Sequence, residues 1–136
     1  MTSPRETPLI LVVDDEAELR QMVLAHLSQM HCDLMEAPDG ESGLAMILSH
    51  KPDLVLLDVR MPGLSGWEVA KYIREREEFD HMGLIMVTGI GESLNDLTSP
   101  LYGADEYINK PFQFSELDFK IRKTLAKHRR TAQTNP

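Results

Sequence analysis

The sequence of 136 residues contains one cysteine, Cys32, so the chain cannot form an internal disulfide. It has no apolar run near the ~18 residues that a membrane span requires, and its first residues include no apolar segment of signal-peptide length. Its five histidines follow no metal-ligand spacing. These absences predict a soluble cytoplasmic protein that has no membrane partner and folds without disulfides.

Positive charge is also scarce, with 14 Lys and Arg against 22 Asp and Glu and a formal net charge of -8. Such a surface is unfavourable for sequence-independent contact with nucleic acid phosphates. The one basic run, at 127–130, is too short to indicate DNA binding and suits the C-terminus of a helix. We therefore expect no direct nucleic acid partner.

Short apolar runs of strand length alternate with helical spacings of apolar residues. The predicted strands are 9–13, 34–37, 54–57, 84–88 and 106–109. The predicted helices are 16–30, 41–49, one that begins after Ser65, a weaker one at 92–99, and one that begins at Ser115. Five strand–helix units in strict alternation predict an α/β fold, a doubly wound parallel sheet with helices on both faces.

Local signals define the helix ends and the domain limits. We expect Asp39 or its turn to cap the second helix, Ser65 and Glu68 to form a capping box, and Pro100 to end or distort the fourth helix. The length fits one domain. We expect it to span residues 9–128, between a disordered N-terminal tail at 1–8 and a flexible C-terminal tail at 129–136.

Charged and polar residues follow the predicted strands where each one ends. Asp14 and Asp15 follow the first strand, Asp58 the third, Thr88 ends the fourth, and Lys110 follows the fifth. The carboxyl ends of parallel strands line one crevice. Each residue alone has an ordinary explanation as a cap, turn, strand or surface residue. Three neighbouring carboxylates repel one another, however, and together they favour a divalent cation such as Mg²⁺.

This combination is suited to phosphoryl transfer. A carboxylate at the centre of the crevice can attack a phosphoryl group and form an acyl phosphate, and Asp58 ends the central strand. A cation together with Lys110 would neutralise the developing negative charge. The hydroxyl of Thr88 could donate a hydrogen bond to another phosphoryl oxygen.

Four motifs resemble those of receiver domains of two-component response regulators. They are VVDDE at 12–16, LDVRMPG at 57–63, TG at 88–89 and GADEYINKPF at 103–112. The resemblance covers residues 9–127 and implies a flavodoxin-like five-stranded sheet of order 2-1-3-4-5 with five helices. It also implies that Asp58 is the phosphoacceptor and that Mg²⁺ is held by Asp14, Asp15, Asp58 and the backbone carbonyl of Arg60.

The resemblance assigns roles to residues of the last two strands as well. Thr88 and Lys110 match the residues that contact the phosphoryl group. Thr88 and Tyr107 match the switch pair that changes position on phosphorylation. The peptide bond before Pro111 is expected to be cis.

The function implied is that of a phosphoacceptor receiver, which is not an enzyme on outside substrates. The implied phosphodonor is a histidine kinase or phosphotransfer protein. The implied receiver of the signal is a downstream protein target, an output domain or a second copy forming a homodimer. Contact would use the face of the fourth helix, fifth strand and fifth helix, whose charges include Asp105, Glu116, Lys120 and Arg122.

Three alternative functions differ from this one in the residues that they require. A receiver-like interaction module that works without phosphorylation would not need the complete set of site residues present here. A phosphohydrolase of the haloacid dehalogenase type places its nucleophile in an Asp-x-Asp pattern after the first strand, whereas Asp14 and Asp15 are adjacent. A flavodoxin-like flavin carrier needs hydroxyl and backbone N–H groups for its phosphate there, and the acidic run would repel that phosphate.

Overall fold

The computed structural model describes residues 7–89 and 103–134, with side chains up to Arg129. Its centre is a parallel sheet of five strands in the order β2-β1-β3-β4-β5, which confirms the predicted fold class and strand order. The strands are β1 (Leu9–Val13), β2 (Asp33–Ala37), β3 (Leu54–Asp58), β4 (Gly83–Thr88) and β5 (Glu106–Asn109).

Four α-helices and one turn of 3-10 helix lie in the described part of the chain. They are α1 (Ala17–Leu27), α2 (Gly40–His50), α3 (Gly66–Arg74), the 3-10 turn Glu77–Phe79, and α4 (Phe114–Thr134), called the C-terminal helix below. The predicted helix at 92–99 falls outside the described residues. None of the described helices combines the length and the apolar character needed to cross a membrane.

The three central strands, β1, β3 and β4, are buried on both faces because their continuous apolar runs send alternate side chains to opposite sides. Leu57 and Met86 face a core that includes Ile47 of α2 and Ile73 of α3. The intervening strand residues face a second core, to which α1 and the C-terminal helix contribute. The two cores fix the strand register, since a one-residue slip would exchange the faces.

The predicted helix caps are present. The Asp39 carboxylate accepts a hydrogen bond from the backbone N of Ser42, and it caps α2. Ser65 and Glu68 form a reciprocal capping box at the start of α3. The capping box fixes where α3 begins, directly after the loop that follows Asp58.

The C-terminal helix continues to Thr134, past the expected domain end at residue 128. The limits of the domain and of its two tails remain predictions. Two features explain the longer helix. Lys127 and His128 both bond to Asp105, which anchors the helix near its end. The following residues, 129–134, include no glycine or proline that would interrupt it. At the other terminus, Asp33 donates a backbone hydrogen bond to the carbonyl of Pro8, so Pro8 is part of the folded edge.

Candidate functional site

Three carboxylates meet at the carboxyl edge of the sheet. Asp14 follows β1, Asp58 ends β3, and Glu16 stands just before α1. In the part of the chain that the structure describes, these residues offer carboxylate oxygens within 4.8 Å of one another. Asp14 and Asp58 are buried, whereas Glu16 is exposed. The sheet thus concentrates negative charge in a place that is mostly removed from water.

The ammonium group of Lys110 lies among these carboxylates. Its Nζ is 2.9 Å from Oε1 of Glu16, 3.2 Å from Oδ2 of Asp14 and 3.3 Å from Oδ2 of Asp58. Lys110 reaches them from the loop after β5, beyond β3 and β4 in the sheet. One cation therefore compensates three carboxylates that come from two segments of the chain, the loop after β1 and the end of β3.

The charge balance changes how Asp58 titrates. Burial raises its pKa, the nearby Asp14 charge raises it further, and the Lys110 ammonium only partly offsets the two, so that the pKa is about 7. Burial also acts on Lys110 and lowers its pKa, but bonding to Glu16, Asp58 and Asp14 outweighs this and leaves the pKa raised. Lys110 is thus cationic throughout the range in which Asp58 titrates.

The backbone around Asp58 is closely packed. The backbone N of Arg60 donates to Oδ1 of Asp58 at 3.3 Å. A Cβ placed on Gly66 would lie 2.1 Å from the carbonyl oxygen of Asp58, so only glycine allows the first turn of α3 this close. The loop therefore folds tightly over the end of the central strand and limits how Asp58 can move.

The observed carboxylate cluster differs from the predicted metal-binding carboxylates at positions 15 and 16. Asp15 is exposed and does not belong to the described carboxylate cluster, while Glu16 does. The assignments of Asp15 and of the Arg60 carbonyl as metal ligands remain predictions. A sequence signal for Glu16 existed, because it continues the acidic run after β1, but the run alone does not say which members turn inward.

Thr88 and Tyr107 lie on adjacent strands near the site. Thr88 is fully buried, and its hydroxyl donates to Oδ1 of Asn109 and, at 3.4 Å, to the carbonyl of Ile108. Tyr107 is half-buried against the core that α2 and α3 cover. The Lys110–Pro111 peptide bond is cis. The sequence interpretation did not identify Asn109, whose position directly before Lys110 was its only signal.

Asp105 has a different environment from the one expected for a surface charge. Its side chain is 6% exposed and bonds to Arg74, Lys127 and His128, and to the backbone N of Leu84. Burial raises the pKa of Asp105, but these hydrogen bonds prevail and lower it to about 2. Its charge is therefore satisfied within the chain, which corrects the expectation that Asp105 offers it to a partner.

The donor set fits a hard divalent cation. Carboxylate oxygens are the ligands that Mg²⁺ prefers, and Mg²⁺ commonly keeps waters and binds a phosphoryl oxygen in addition to one or two carboxylates. Burial and the nearby Asp14 charge together outweigh Lys110 and keep the pKa of Asp58 raised, so a further cation would favour its ionised form. Both observations are compatible with a magnesium site at this edge.

Sequence comparison places the chain in a known class. The family model of the response regulator receiver domain matches residues 10–122. The chain is 39% identical over 116 residues to the phosphate regulon transcriptional regulatory protein PhoB of Pseudomonas aeruginosa, covering 85% of this chain and 51% of that protein. It is 38% identical over 126 residues to the transcriptional regulatory protein ResD of Bacillus subtilis, covering 93% and 50%.

A structural comparison agrees. A response regulator receiver domain protein (CheY-like) from Methanospirillum hungatei superposes with a TM-score of 0.84 and 28% identity, covering 93% of this chain and 99% of that one. The chain belongs to the response regulator receiver domain family. It spans about half the length of the curated relatives it matches.

Proposed function

We propose that the chain accepts a phosphoryl group on Asp58 in two-component signal transduction. The observation that carries the proposal is the position of Asp58, which ends the central strand, is buried, and lies against both Asp14 and Lys110. A carboxylate in this setting can act as a nucleophile, and the Lys110 ammonium is already in place to neutralise the negative charge of the phosphoryl group. Membership of the receiver family supports the same role.

In the proposed reaction, a carboxylate oxygen of Asp58 attacks the phosphorus of a phosphohistidine on a histidine kinase or phosphotransfer protein. The new O–P bond forms as the P–N bond breaks, and the imidazole leaves with the electron pair of that bond. The Lys110 ammonium, 3.3 Å from Asp58, is placed to neutralise charge on the phosphoryl oxygens. The product is an aspartyl phosphate on the chain itself, so we infer that the protein is not an enzyme for outside substrates.

We infer that Mg²⁺ is required, and that Asp14, Asp15, Asp58 and the Arg60 carbonyl hold it. Bound there, Mg²⁺ would supply positive charge to the phosphoryl oxygens. Glu16 adds a carboxylate to the same cluster and also engages Lys110 at 2.9 Å. Its role in the proposal is to hold the Lys110 ammonium in place while the aspartates bind the cation.

The signal is proposed to leave through Thr88 and Tyr107. Phosphorylation adds roughly −1.5 to −2 charge at Asp58, and the Thr88 hydroxyl would turn to donate to a phosphoryl oxygen. Tyr107 would then change position with it, altering the face that includes β5 and the C-terminal helix. A downstream target, an output domain or a second copy would recognise that face in the cytoplasm. An output domain is compatible with the greater length of PhoB and ResD, both named transcriptional regulatory proteins.

The proposal is tested by intact mass spectrometry after incubation with Mg²⁺ and acetyl phosphate. One added phosphoryl group is expected, and it should be absent in Asp58→Asn, which keeps the shape of the side chain but removes the nucleophilic carboxylate. Asp33→Asn, on an exposed residue of β2, is the control and should be labelled normally. Equal labelling of Asp58→Asn and wild type would remove Asp58 from this role.

A further inference from the structure

Asn109 is bonded to one of the two residues proposed to switch. In the parallel pairing of β4 and β5, Thr88 lies opposite Asn109. The hydroxyl of Thr88 donates to Oδ1 of Asn109, and the backbone N of Lys110 donates to the Thr88 carbonyl at 2.7 Å. The Thr88 backbone is therefore held in the sheet, and a change at this position must come largely from its side chain.

A threonine hydroxyl carries a single hydrogen. While that hydrogen is donated to Asn109, it is not available to a phosphoryl oxygen on Asp58. The amide oxygen of Asn109 and the phosphoryl oxygen therefore compete for the same donor. The contact of the hydroxyl with the carbonyl of Ile108 is long for an O–H···O hydrogen bond, at 3.4 Å, so Asn109 is the main acceptor.

Thr88 and Asn109 differ in burial, so breaking their hydrogen bond has a different cost for each. Thr88 is completely buried, so its hydroxyl cannot exchange a lost partner for water, and an unsatisfied buried hydroxyl is costly. Asn109 is exposed, so water can replace Thr88 at its amide. The bond thus opens at little cost to Asn109, but only when another acceptor is available to Thr88.

We propose that Asn109 is a positioning residue that holds the Thr88 hydroxyl in the unphosphorylated state and releases it to the phosphoryl group. This inference rests on the proposed function of Asp58. Under this proposal, part of the free energy of phosphoryl binding is used to break the hydrogen bond between Thr88 and the Asn109 amide. If the residue at position 109 has no acceptor, this hydrogen bond does not have to be broken, and the switched state of Thr88 is easier to reach.

The experiment measures the affinity of the whole chain for beryllofluoride in saturating Mg²⁺, as a mimic of the phosphoryl group. Binding is followed by ¹⁹F NMR and by the fluorescence of Trp67, the single tryptophan, which adjoins Gly66. Asn109→Ala should bind about fivefold more tightly than wild type, as expected from loss of one ordinary hydrogen bond in the free state. Gln113→Ala, which truncates another exposed amide, is the matched control and should bind as wild type does.

A double-mutant cycle separates this role from a general structural one. In a Thr88→Val background, which has no hydroxyl to hold, Asn109→Ala should leave the beryllofluoride affinity unchanged. The free proteins give a second readout, because the Thr88 hydroxyl proton should exchange with water more rapidly in Asn109→Ala. An equal effect of Asn109→Ala in both backgrounds, or no effect in either, would overturn the role of Asn109.

The same data distinguish failure of this inference from failure of the proposed function. If wild type binds beryllofluoride and Asp58→Asn does not, the phosphoacceptor site stands, whatever Asn109→Ala does. If wild type neither binds beryllofluoride nor becomes phosphorylated, the proposed function and the role of Asn109 both fall.

Discussion

The ammonium of Lys110 lies 3.3 Å from the carboxylate of Asp58, although the two residues are 52 positions apart in the chain. The contact crosses the carboxyl edge of the sheet, where β4 separates β3 from β5. Asp58 is consequently a buried carboxylate whose charge depends on a partner from another segment.

Removing the Lys110 charge should make Asp58 harder to ionise. The pKa of Asp58 is about 7 with the lysine present, and both the charge of Lys110 and its hydrogen bond lower that value. In Lys110→Ala the pKa should therefore rise above about 7, as read from the Asp58 carboxyl ¹³C shift against pH in metal-free protein. Lys110→Arg, which keeps a cation, should shift it less. An unchanged titration in Lys110→Ala would contradict the proposed coupling.

Asp58 should also make the metal-free protein less stable as the pH rises. Its pKa is raised from 3.8 to about 7 in the folded chain, so between those values the folded state binds more protons than the unfolded state. Stability from this group is then present at the acid end and declines as the pH approaches and passes about 7. Asp58→Asn should remove that decline. Denaturant midpoints at pH 5 and pH 8, with a chelator present, measure the effect, and parallel losses in both proteins would argue against it.

Magnesium affinity should distinguish members of the acidic run. Asp14→Asn and Asp15→Asn should each weaken Mg²⁺ binding, by roughly tenfold if one strong oxygen interaction is lost. Glu16→Gln should weaken it less, because Glu16 has a 61% exposed side chain and already engages Lys110. Mg²⁺ titrations followed by the fluorescence of Trp67 give the affinities to be compared. If Asp15→Asn binds as wild type does while Glu16→Gln does not, Glu16 replaces Asp15 in the proposed metal site.

The parts of the fold that the sequence predicts best are those set by local patterns. Continuous apolar runs identify the strands, and the Ser65–Glu68 capping box marks the start of α3. The predicted strand ends also place Asp14, Asp58 and Lys110 at one edge of the sheet. These signals work because strand burial and helix capping depend mainly on residues close together in sequence.

Side-chain partners across the fold were harder to predict. The hydrogen bond from Thr88 to Asn109 depends on the register of β4 against β5. Local patterns along either strand do not give this register. Glu16 turns into the acidic cluster because Lys110 reaches it from the far side of the sheet. The interpretation of the basic run at 127–130 as favourable charge at a helix end likewise missed Asp105, the common partner of Lys127 and His128.

Asp105 should stabilise the end of the C-terminal helix in a charge-dependent way. Its pKa is lowered from 3.8 to about 2, because hydrogen bonds from His128, Lys127 and Leu84 outweigh the effect of burial. A carboxyl group with a lowered pKa contributes stability above its unfolded value, near pH 4, and loses it as the pH falls towards 2. At one pKa unit per 1.36 kcal/mol, the contribution at neutral pH is about 2 kcal/mol.

Asp105→Asn tests this contribution, since it removes the charge and keeps an acceptor for the backbone N of Leu84. The free energy of unfolding at pH 7 should fall by about 2 kcal/mol, and amide exchange should quicken around Lys127 and His128. Glu106→Gln is the matched control: its carboxylate lies 3.2 Å from Lys123 and 3.9 Å from Lys120, but its side chain is 20% exposed against 6% for Asp105. Water screens the Glu106 pairs more strongly, so the loss there should be under ~1 kcal/mol. Equal losses in the two variants would mean that the buried network adds nothing beyond ordinary surface pairing.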